Sequence, residues 1–186
     1  IFLPEYNEWQ DRNDIKLLDH YKSKKPEIKA IRALCFTCGD ETVHHWENLG
    51  KTKSDICCIQ FDYSKLIAAI DDENKSLTNG CFRYGKANYV KVQKLNEGAF
   101  PRLDDLPFTK RWPYRIEDEF RVIREIHDLR GSRYIKIDID CIDKITVSQR
   151  VKASDFRALK AEFQSNVAKV NHSKLYQYDG WLNKII

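Results

Sequence analysis

Three charged side chains at alternating positions are the residues of this sequence best suited to chemistry. Glu117, Glu119 and Arg121 follow one another at intervals of two within residues 112–121, WPYRIEDEFR. In a β-strand alternate side chains point to the same side, so a strand here would place all three on one face. Buried carboxylates and guanidinium groups are costly unless they pair or serve a function. Glu117 and Glu119 are therefore the predicted catalytic residues, as a general base, a stabiliser of an oxocarbenium-like transition state or an anchor for a ribose hydroxyl.

The sequence leaves the secondary structure of this stretch open. Apolar residues also recur here at helical spacing (Ile116, Phe120 and Ile123), and Glu and Arg are good helix formers. A helix would leave the charges solvated, and an ion pair between Glu119 and Arg121 would brace a sheet without any chemistry. Periodicity alone therefore predicts a strand and a helix equally well.

A second group of candidates lies in a short helix predicted at residues 41–49. His45 can titrate near neutral pH, and the Trp46 ring can stack on a base or on nicotinamide. The structural alternative is that Trp46 anchors the helix to the core. The residues that we expect to bind substrate are Thr37, His45, Trp46, Tyr114 and Arg121.

The six cysteines give little support to a metal site. A zinc site built on Cys35 and Cys38 needs further ligands, for which only His44 and His45 follow closely. In a strand, moreover, Cys35 and Cys38 would point to opposite faces. We expect no metal, and we expect the cysteines of the runs CFTC and ICCIQF to lie in the core as small hydrophobic residues. Free thiols of this kind are typical of a reducing cytoplasm.

Basic residues are frequent between Lys110 and Arg133. Acidic residues are interleaved with them, so a solvated face is one interpretation. Contact with phosphate or RNA is the other, because backbone phosphates attract Lys and Arg. The net charge of +4 does not by itself imply a nucleic-acid partner.

The remaining periodicities predict the elements that would carry these residues. Helices are expected at 15–23, 26–33, 65–74 and 153–163. Strands are expected at 33–38, 56–61, 134–139 and 142–147, and a hairpin at 81–92. The strand at 56–61 is nearly all apolar and should be buried. Together these elements predict an α+β fold, with a mixed, mainly antiparallel sheet flanked by helices.

The length fits one globular domain spanning residues 1–186. No run approaches the roughly 18 apolar residues of a membrane-spanning helix, so we expect no membrane partner and a cytoplasmic location. The chain begins at Ile1 and contains no methionine, so we expect natural residues to precede Ile1.

Several motifs occur in the order found in a known family. The matching residues are Pro4, Trp9 and Asp11, then Cys35, Phe36 and Thr37, then Trp46 and residues 54–62, then Trp112, Tyr114, Glu117, Glu119, Phe120 and Arg121, and finally residues 142–147 and 154–163. On these residues the chain resembles the bacterial and phage proteins of domain-of-unknown-function family twenty-nine seventy-one. The resemblance implies a strand at residues 117–124 and a further strand before Ile1. It also implies a mobile-element or defence setting, with a toxin or effector role.

A weaker similarity to ADP-ribosyltransferases rests on three features in order: an early basic residue, a strand containing Thr37 and a strand with the Glu-x-Glu pair Glu117 and Glu119. That similarity implies NAD as the cofactor. It implies that Glu119 stabilises the sugar cation, while Glu117 acts as a base or orients the acceptor. Trp46 or Tyr114 would stack on the base, and Arg121 would brace Glu119 or meet a phosphate.

Three functions follow as hypotheses. The first is an NAD-using ADP-ribosyl or glycosyl transferase-like enzyme. The second is a non-enzymatic module of a phage or defence system that binds RNA, a nucleotide or a partner protein. The third is a metal-dependent nuclease with Glu117, Glu119 and Asp138 as ligands. The sequence leaves the substrate, the target and the oligomeric state open.

Overall fold

The computed structural model describes residues 1–49, 57–128, 132–163, 169–175 and 183–184. It has an α+β fold with mainly antiparallel strand pairing, which confirms the predicted fold class. The named α-helices are α1 (Arg12–Ser23), α2 (Val43–Leu49), α3 (Tyr63–Ser76), α4 (Val92–Asn96) and α5 (Ala153–Phe163). The strands are β1 (Ala30–Thr37), β2 (Cys57–Phe61), β3 (Gly80–Lys86), β4 (Asn88–Val90), β5 (Thr109–Arg111), β6 (Glu119–Ile126), β7 (Ile142–Val147) and β8 (Val170–His172). Short 3-10 segments occur at Tyr6–Glu8, Leu103–Phe108, Trp112–Glu117 and Ile139–Cys141.

Backbone contacts divide the chain into two compact units. Unit 1 contains Ile1–Gly39 and Ile70–Lys136, and unit 2 contains Asp40–Ala69 and Ile137–Ile186. The described strands form three sheets, of order β1-β6-β3, β2-β7-β8 and β4-β5. That the chain forms a single domain over residues 1–186 stays a prediction.

Unit 1 is built around β6, the central strand of its antiparallel sheet. Every residue of β6 is buried, because strands flank it on both edges and side chains cover both faces. One face carries Ile31 and Ile123 and packs against Leu18 of α1. Burying a large apolar side chain of this kind contributes roughly 1.5–3 kcal/mol. Glu119 and Arg121 lie further along this same face.

A side chain closes the outer edge of β3. The Asn74 amide in α3 accepts from the Phe82 N–H at 2.7 Å and donates to the Phe82 carbonyl at 2.9 Å. It thereby satisfies backbone groups that an open edge would offer to another strand. The strand begins at Gly80, which has φ +133° and where a Cβ would lie 1.9 Å from the Glu125 carbonyl oxygen. Only glycine can therefore begin the strand this close to β6.

The predicted hairpin at residues 81–92 is wrong. β3 runs on to Lys86, and β4 pairs in parallel with β5 instead of folding back on β3. Ala87 marks the change of partner, since its N–H donates to the Glu119 carbonyl at 2.8 Å. The parallel ribbon therefore brings residues 88–90 beside residues 109–111.

Unit 2 contains the antiparallel pair β2–β7 and the parallel pair β7–β8. Helix α5 forms as predicted, and Phe156 and Leu159 pack against a buried cluster that includes Ile145 and Val147. Residues 57–61 form the predicted strand, but Cys57 to Gln60 are exposed, so the prediction of a buried strand is wrong. The reason is that β2 is an edge strand, and the buried cluster lies on β7, β8 and their connection to α5. Residue 56 lies outside the described residues.

Two other predicted elements do not form. Residues 26–33 are not a helix, because β1 begins at Ala30. Its alternate residues Ile31 and Ala33 belong to the buried apolar cluster. Residues 134–139 are not a strand, because Tyr134 makes a single bridge with Phe2 and no ladder continues from it. Among the helices of the described residues, none combines the length and the apolar character needed to cross a membrane.

Candidate functional site

Strand β6 begins at Glu119, so Glu117 lies outside it. The expectation that Glu117, Glu119 and Arg121 share one strand face is therefore wrong for Glu117. The physical reason is Asp118, whose left-handed backbone (φ 38°, ψ 57°) ends the 3-10 segment Trp112–Glu117. This conformation breaks the alternation of side chains before the strand starts. Glu119 and Arg121 do share a face, and the Arg121 Nε–H donates to Glu119 Oε1 at 3.0 Å.

Lys110 brings the two carboxylates together despite this turn. Its ammonium donates to Glu117 Oε2 at 2.5 Å and to Glu119 Oε2 at 2.8 Å. Lys110 lies in β5 and pairs in register with Tyr89 of β4. The Tyr89 hydroxyl in turn accepts from the Glu119 N–H at 2.8 Å. The β4–β5 ribbon therefore fixes the lysine against the start of β6.

Arg121 is the second cation of the site, and its side chain is 1% exposed. Its Nη2 donates to Asp14 Oδ2 at 2.6 Å, and its Nη1 donates to the Pro107 carbonyl at 3.0 Å. The guanidinium carbon lies 5.3 Å from the centre of the Trp9 ring. Asp14 comes from the first turn of α1, which Asp11 caps. The helix therefore supplies a carboxylate to the same sheet face that it covers.

Five charged residues form one connected group, which we name the lysine-bridged cluster. Its members are Asp14, Lys110, Glu117, Glu119 and Arg121. All except Glu117 are buried. The group holds one more acid than bases, so its formal charge is negative. A buried ion without a partner costs several kcal/mol, so only mutual pairing makes this arrangement tolerable.

Burial and pairing act against each other on these groups. Burial favours neutral Glu119, but the charge and hydrogen bonds of Arg121, with a bond from Lys110, outweigh it and hold the Glu119 pKa below its usual value. For Asp14 burial outweighs the charges of Arg121 and Lys110, so its pKa is raised. Burial disfavours the charge of Lys110, yet its bonds to Glu117 and Glu119 raise its pKa. Glu119 and Lys110 therefore form an ionised pair at neutral pH.

Of the two predicted catalytic carboxylates, Glu117 is the one that solvent reaches. Both oxygens of Glu119 accept hydrogen bonds from Arg121, one also from Lys110, and its side chain is 5% exposed. The Glu117 side chain is 29% exposed and bonds Lys110 through Oε2. The Glu117 carboxylate is therefore open to a ligand, whereas the Glu119 oxygens are occupied by Lys110 and Arg121.

Tyr114 and Thr37 lie beside the cluster. The Lys110 ammonium is 5.1 Å from the centre of the Tyr114 ring, and Arg111 Nη2 donates to the Tyr114 hydroxyl at 3.0 Å. Thr37 is the cross-strand partner of Glu119 and is exposed. Its hydroxyl accepts from the Gly39 N–H at 3.2 Å. Of the predicted site residues, unit 1 therefore holds Thr37, Tyr114, Glu117, Glu119 and Arg121.

His45 and Trp46 belong to unit 2, where each has a local partner. The Thr42 hydroxyl lies 3.0 Å from His45 Nδ1 and accepts from the His45 N–H at 3.3 Å, as a capping residue does at the start of a helix. The Trp46 ring is buried, and its Nε1–H donates to Glu41 Oε1 at 2.7 Å. These contacts favour the interpretation that Trp46 anchors α2, because a buried ring offers little surface to a ligand.

Two members of the cluster were not predicted as site residues. Asp14 recurs at helical spacing with Leu18 and Tyr21, so it lies on the face of α1 that packs against the sheet. A carboxylate on an otherwise apolar stripe is the sequence signal that identifies it. Lys110 has no comparable signal, because its position depends on the parallel pairing of β4 with β5.

The basic residues between Lys110 and Arg133 do not form one surface. Three are buried and three are exposed: Lys110, Arg121 and Arg124 against Arg111, Arg115 and Arg133. Arg124 Nη1 donates to the Ser132 carbonyl at 2.5 Å, so this arginine braces the sheet. Arg130 lies outside the described residues. Among the described basic residues of this stretch, contact with phosphate is therefore open to the exposed ones, of which Arg111 and Arg115 flank Trp112.

All six cysteines are free thiols. Cys35, Cys38, Cys57 and Cys58 are exposed, so the prediction that they lie in the core is wrong. The reason is position: β1 extends beyond the apolar cluster, and β2 is an edge strand. In the part of the chain that the structure describes, no group of three or more His, Cys, Asp or Glu side chains could hold a metal ion.

Comparisons with protein-family models, with curated proteins and with solved structures gave no match. Membership of family twenty-nine seventy-one therefore stays a prediction.

Proposed function

We propose that this protein transfers a glycosyl group, an ADP-ribosyl group in the first instance, from NAD to an acceptor. The observation that carries the proposal is the Lys110 bridge. One ammonium holds Glu117 and Glu119 together and leaves the Glu117 side chain 29% exposed. Paired carboxylates are what glycosyl chemistry uses to stabilise an oxocarbenium-like transition state.

The proposed reaction begins at the glycosidic bond of NAD. The bond between ribose C1′ and the nicotinamide nitrogen breaks, and its electron pair leaves with the nicotinamide. The positive charge spreads over C1′ and the ribose ring oxygen. Because the cluster has one more acid than bases, its field favours such a cation next to the exposed Glu117. An acceptor oxygen or nitrogen then bonds C1′, and its proton passes to Glu117 or to water.

The other residues have supporting parts in this proposal. Glu119 is a positioning residue, because its oxygens are occupied by Lys110 and Arg121. We assign ribose contact to Thr37, an exposed residue that lies across the strand pair from Glu119. We assign base contact to the Tyr114 ring, which lies beside the Lys110 ammonium.

The biological setting is part of the same proposal. The resemblance to family twenty-nine seventy-one supports membership of that family and an effector role in a bacterial or phage defence system. The six free thiols support a reducing cytoplasm as the place of action.

The test measures nicotinamide release from NAD by the purified protein, with bacterial cell extract supplying acceptors. We expect Glu117→Gln to lower the rate at least about 100-fold, because it removes the charge that faces the sugar cation. Glu97→Gln is the matched control, since Glu97 is an exposed acid that pairs with Lys94 at 3.0 Å, and its rate should equal that of the wild type.

Two outcomes count against the proposal. Folded wild-type protein that releases no nicotinamide with extract present would overturn glycosyl transfer from NAD. Undiminished turnover in Glu117→Gln would remove the assigned role of Glu117. Thermal unfolding of each variant is measured first, so that loss of activity is separated from loss of fold.

A further inference from the structure

The Trp112 ring is 38% exposed and has two cations beside it. Lys91 Nζ lies 4.4 Å from the ring centre, and the Arg115 guanidinium carbon lies 5.0 Å from it. Arg115 follows Trp112 by one turn of the 3-10 segment, which brings it to the same side. Lys91 comes from a distant part of the chain.

Parallel strand pairing fixes Lys91 next to Trp112. Val90, the last residue of β4, pairs with Arg111, the last residue of β5. Lys91 directly follows β4 and Trp112 directly follows β5, so the register of the two strands makes these residues neighbours. Backbone pairing therefore holds the ring and its first cation together.

Among the described residues, neither cation has an acidic partner. In the described part of the chain no carboxylate oxygen lies within 4.0 Å of the Lys91 or Arg115 nitrogens. Lys94, one turn further along α4, does have such a partner, Glu97 at 3.0 Å. Two uncompensated positive charges at an exposed aromatic ring fit a ligand that has both a flat ring and negative charge.

We propose that Lys91, Trp112 and Arg115 form a binding surface for single-stranded nucleic acid. A base stacks on the Trp112 ring, and phosphates contact Lys91 and Arg115. Stacking of a base on an aromatic ring is stronger than an exposed cation–π contact. A base can therefore displace a cation from the face of the Trp112 ring. The displaced Lys91 or Arg115 side chain then contacts a phosphate of the same strand.

A second ring and cation favour a polymer over a single nucleotide. The guanidinium carbon of the exposed Arg111 lies 5.0 Å from the centre of the Tyr114 ring. Arg111 Nη2 also lies 4.0 Å from Asp11 Oδ2, a longer ion pair than that of Lys94 with Glu97. Rings at residues 112 and 114, each with its own cation, match successive nucleotides that each bring a base and a phosphate. Nucleic-acid binding here does not require the glycosyl transfer proposed above, which depends on Glu117.

Fluorescence anisotropy with a labelled single-stranded RNA of about 12 nucleotides tests this surface on the whole chain. We expect Trp112→Ala to lower the affinity about 5- to 100-fold, which corresponds to one lost base stack. Lys91→Gln and Arg115→Gln should each reduce the slope of log affinity against log salt by about 0.7, the value for one phosphate contact on a single strand.

Matched controls keep the test specific. Phe100→Ala removes another exposed ring, and Lys94→Gln removes a lysine that is paired with Glu97. Both variants should therefore bind the RNA as the wild type does. Losses in these controls equal to those in Trp112→Ala or Lys91→Gln would overturn the assigned surface. So would RNA binding that Trp112→Ala leaves unchanged, or no RNA binding at all. If AMP or NAD displaced the labelled RNA as well as unlabelled RNA does at the same nucleotide concentration, the assignment to a polymer would be wrong. The surface would then bind a free nucleotide instead.

Discussion

Two polar clusters lie on the same face of the unit 1 sheet, and they are built differently. The lysine-bridged cluster surrounds Glu119 and Arg121 near the start of β6. A second group, which we name the tyrosine cluster, lies near the end of β6 and consists of Tyr21, Arg83 and Glu125. Ile123 separates the two clusters on this face.

The tyrosine cluster balances its charges. The Tyr21 hydroxyl donates to Glu125 Oε1 at 2.5 Å, and Arg83 Nη1 donates to the Tyr21 hydroxyl at 2.6 Å and to Glu125 Oε1 at 3.0 Å. One acid meets one base, and burial with the bond to Glu125 raises the pKa of Tyr21 to about 12. This cluster is explained by structure alone. The lysine-bridged cluster has a surplus acid and presents Glu117 to solvent, and that surplus is what makes it the candidate for chemistry.

The largest expected effect is the loss of Arg121, which would break the lysine-bridged cluster. Arg121→Met leaves Asp14 and Glu119 buried with fewer partners, so we expect it to lower the free energy of unfolding by about 3–5 kcal/mol. Urea denaturation followed by circular dichroism measures the change. Arg115→Met removes an exposed arginine that has no acidic partner among the described residues, and it should stay within about 0.5 kcal/mol of the wild type. A loss below about 1 kcal/mol in Arg121→Met would show that the cluster does not depend on its arginine.

The tyrosine cluster should be less sensitive to losing a member. Tyr21→Phe removes one hydroxyl that bonds two charged groups, so we expect the free energy of unfolding to fall by about 2 kcal/mol. The effect is smaller than that of Arg121→Met because the Arg83 side chain is 27% exposed and water can replace the lost bond. The same denaturation assay compares the variants. If Tyr21→Phe and Arg121→Met lowered the free energy of unfolding equally, the two clusters would not differ in the way described.

Alkaline pH should weaken the tyrosine cluster in a defined range. Burial and the bond to Glu125 raise the folded pKa of Tyr21 from its ordinary value of about 10 to about 12, so the stability that the neutral hydroxyl contributes is complete below pH 10 and is lost as pH rises toward 12. At pH 11 we expect this loss to be about 1 kcal/mol relative to pH 8. The Tyr21→Phe variant should not show the part of the alkaline loss of stability that comes from Tyr21. Lys110 titrates in the same way in the wild type and in this variant, so it does not contribute to the difference. A pH dependence identical in the two would contradict the raised pKa of Tyr21.

What the sequence predicts well is what depends on local periodicity. The helical stripes predicted α1, α3 and α5, and the apolar run at 56–61 predicted β2. Periodicity left the stretch at Glu119 and Arg121 open between a strand and a helix; in the strand that forms, their period-two spacing puts both side chains on one face. Each of these inferences needs only neighbours within a few residues.

What the sequence predicts poorly depends on partners far along the chain or on one unusual backbone angle. Lys110 enters the cluster only because β5 pairs with β4. The exposure of β2 follows from its place at a sheet edge, which an apolar run does not reveal. Glu117 leaves the strand face because Asp118 is left-handed, and no period in the sequence records that turn.

The smallest expected effect tests this turn, which gives the lysine-bridged cluster its exposed acid. Asp118→Gly relieves a left-handed conformation but makes the unfolded chain more flexible, and it removes an exposed ion pair with Lys86 at 3.7 Å. These terms nearly cancel, so we expect stability within about 1 kcal/mol of the wild type.

Asp118→Val at the same position has no such compensation. A β-branched residue resists φ 38°, so we expect a loss of about 1–2 kcal/mol relative to Asp118→Gly, measured by thermal unfolding. If valine forces residue 118 into an extended backbone, Glu117 moves away from Lys110, and nicotinamide release should fall in this variant but not in Asp118→Gly. Equal stability and equal turnover in the two variants would mean that the left-handed turn is not what holds Glu117 at the surface of the cluster.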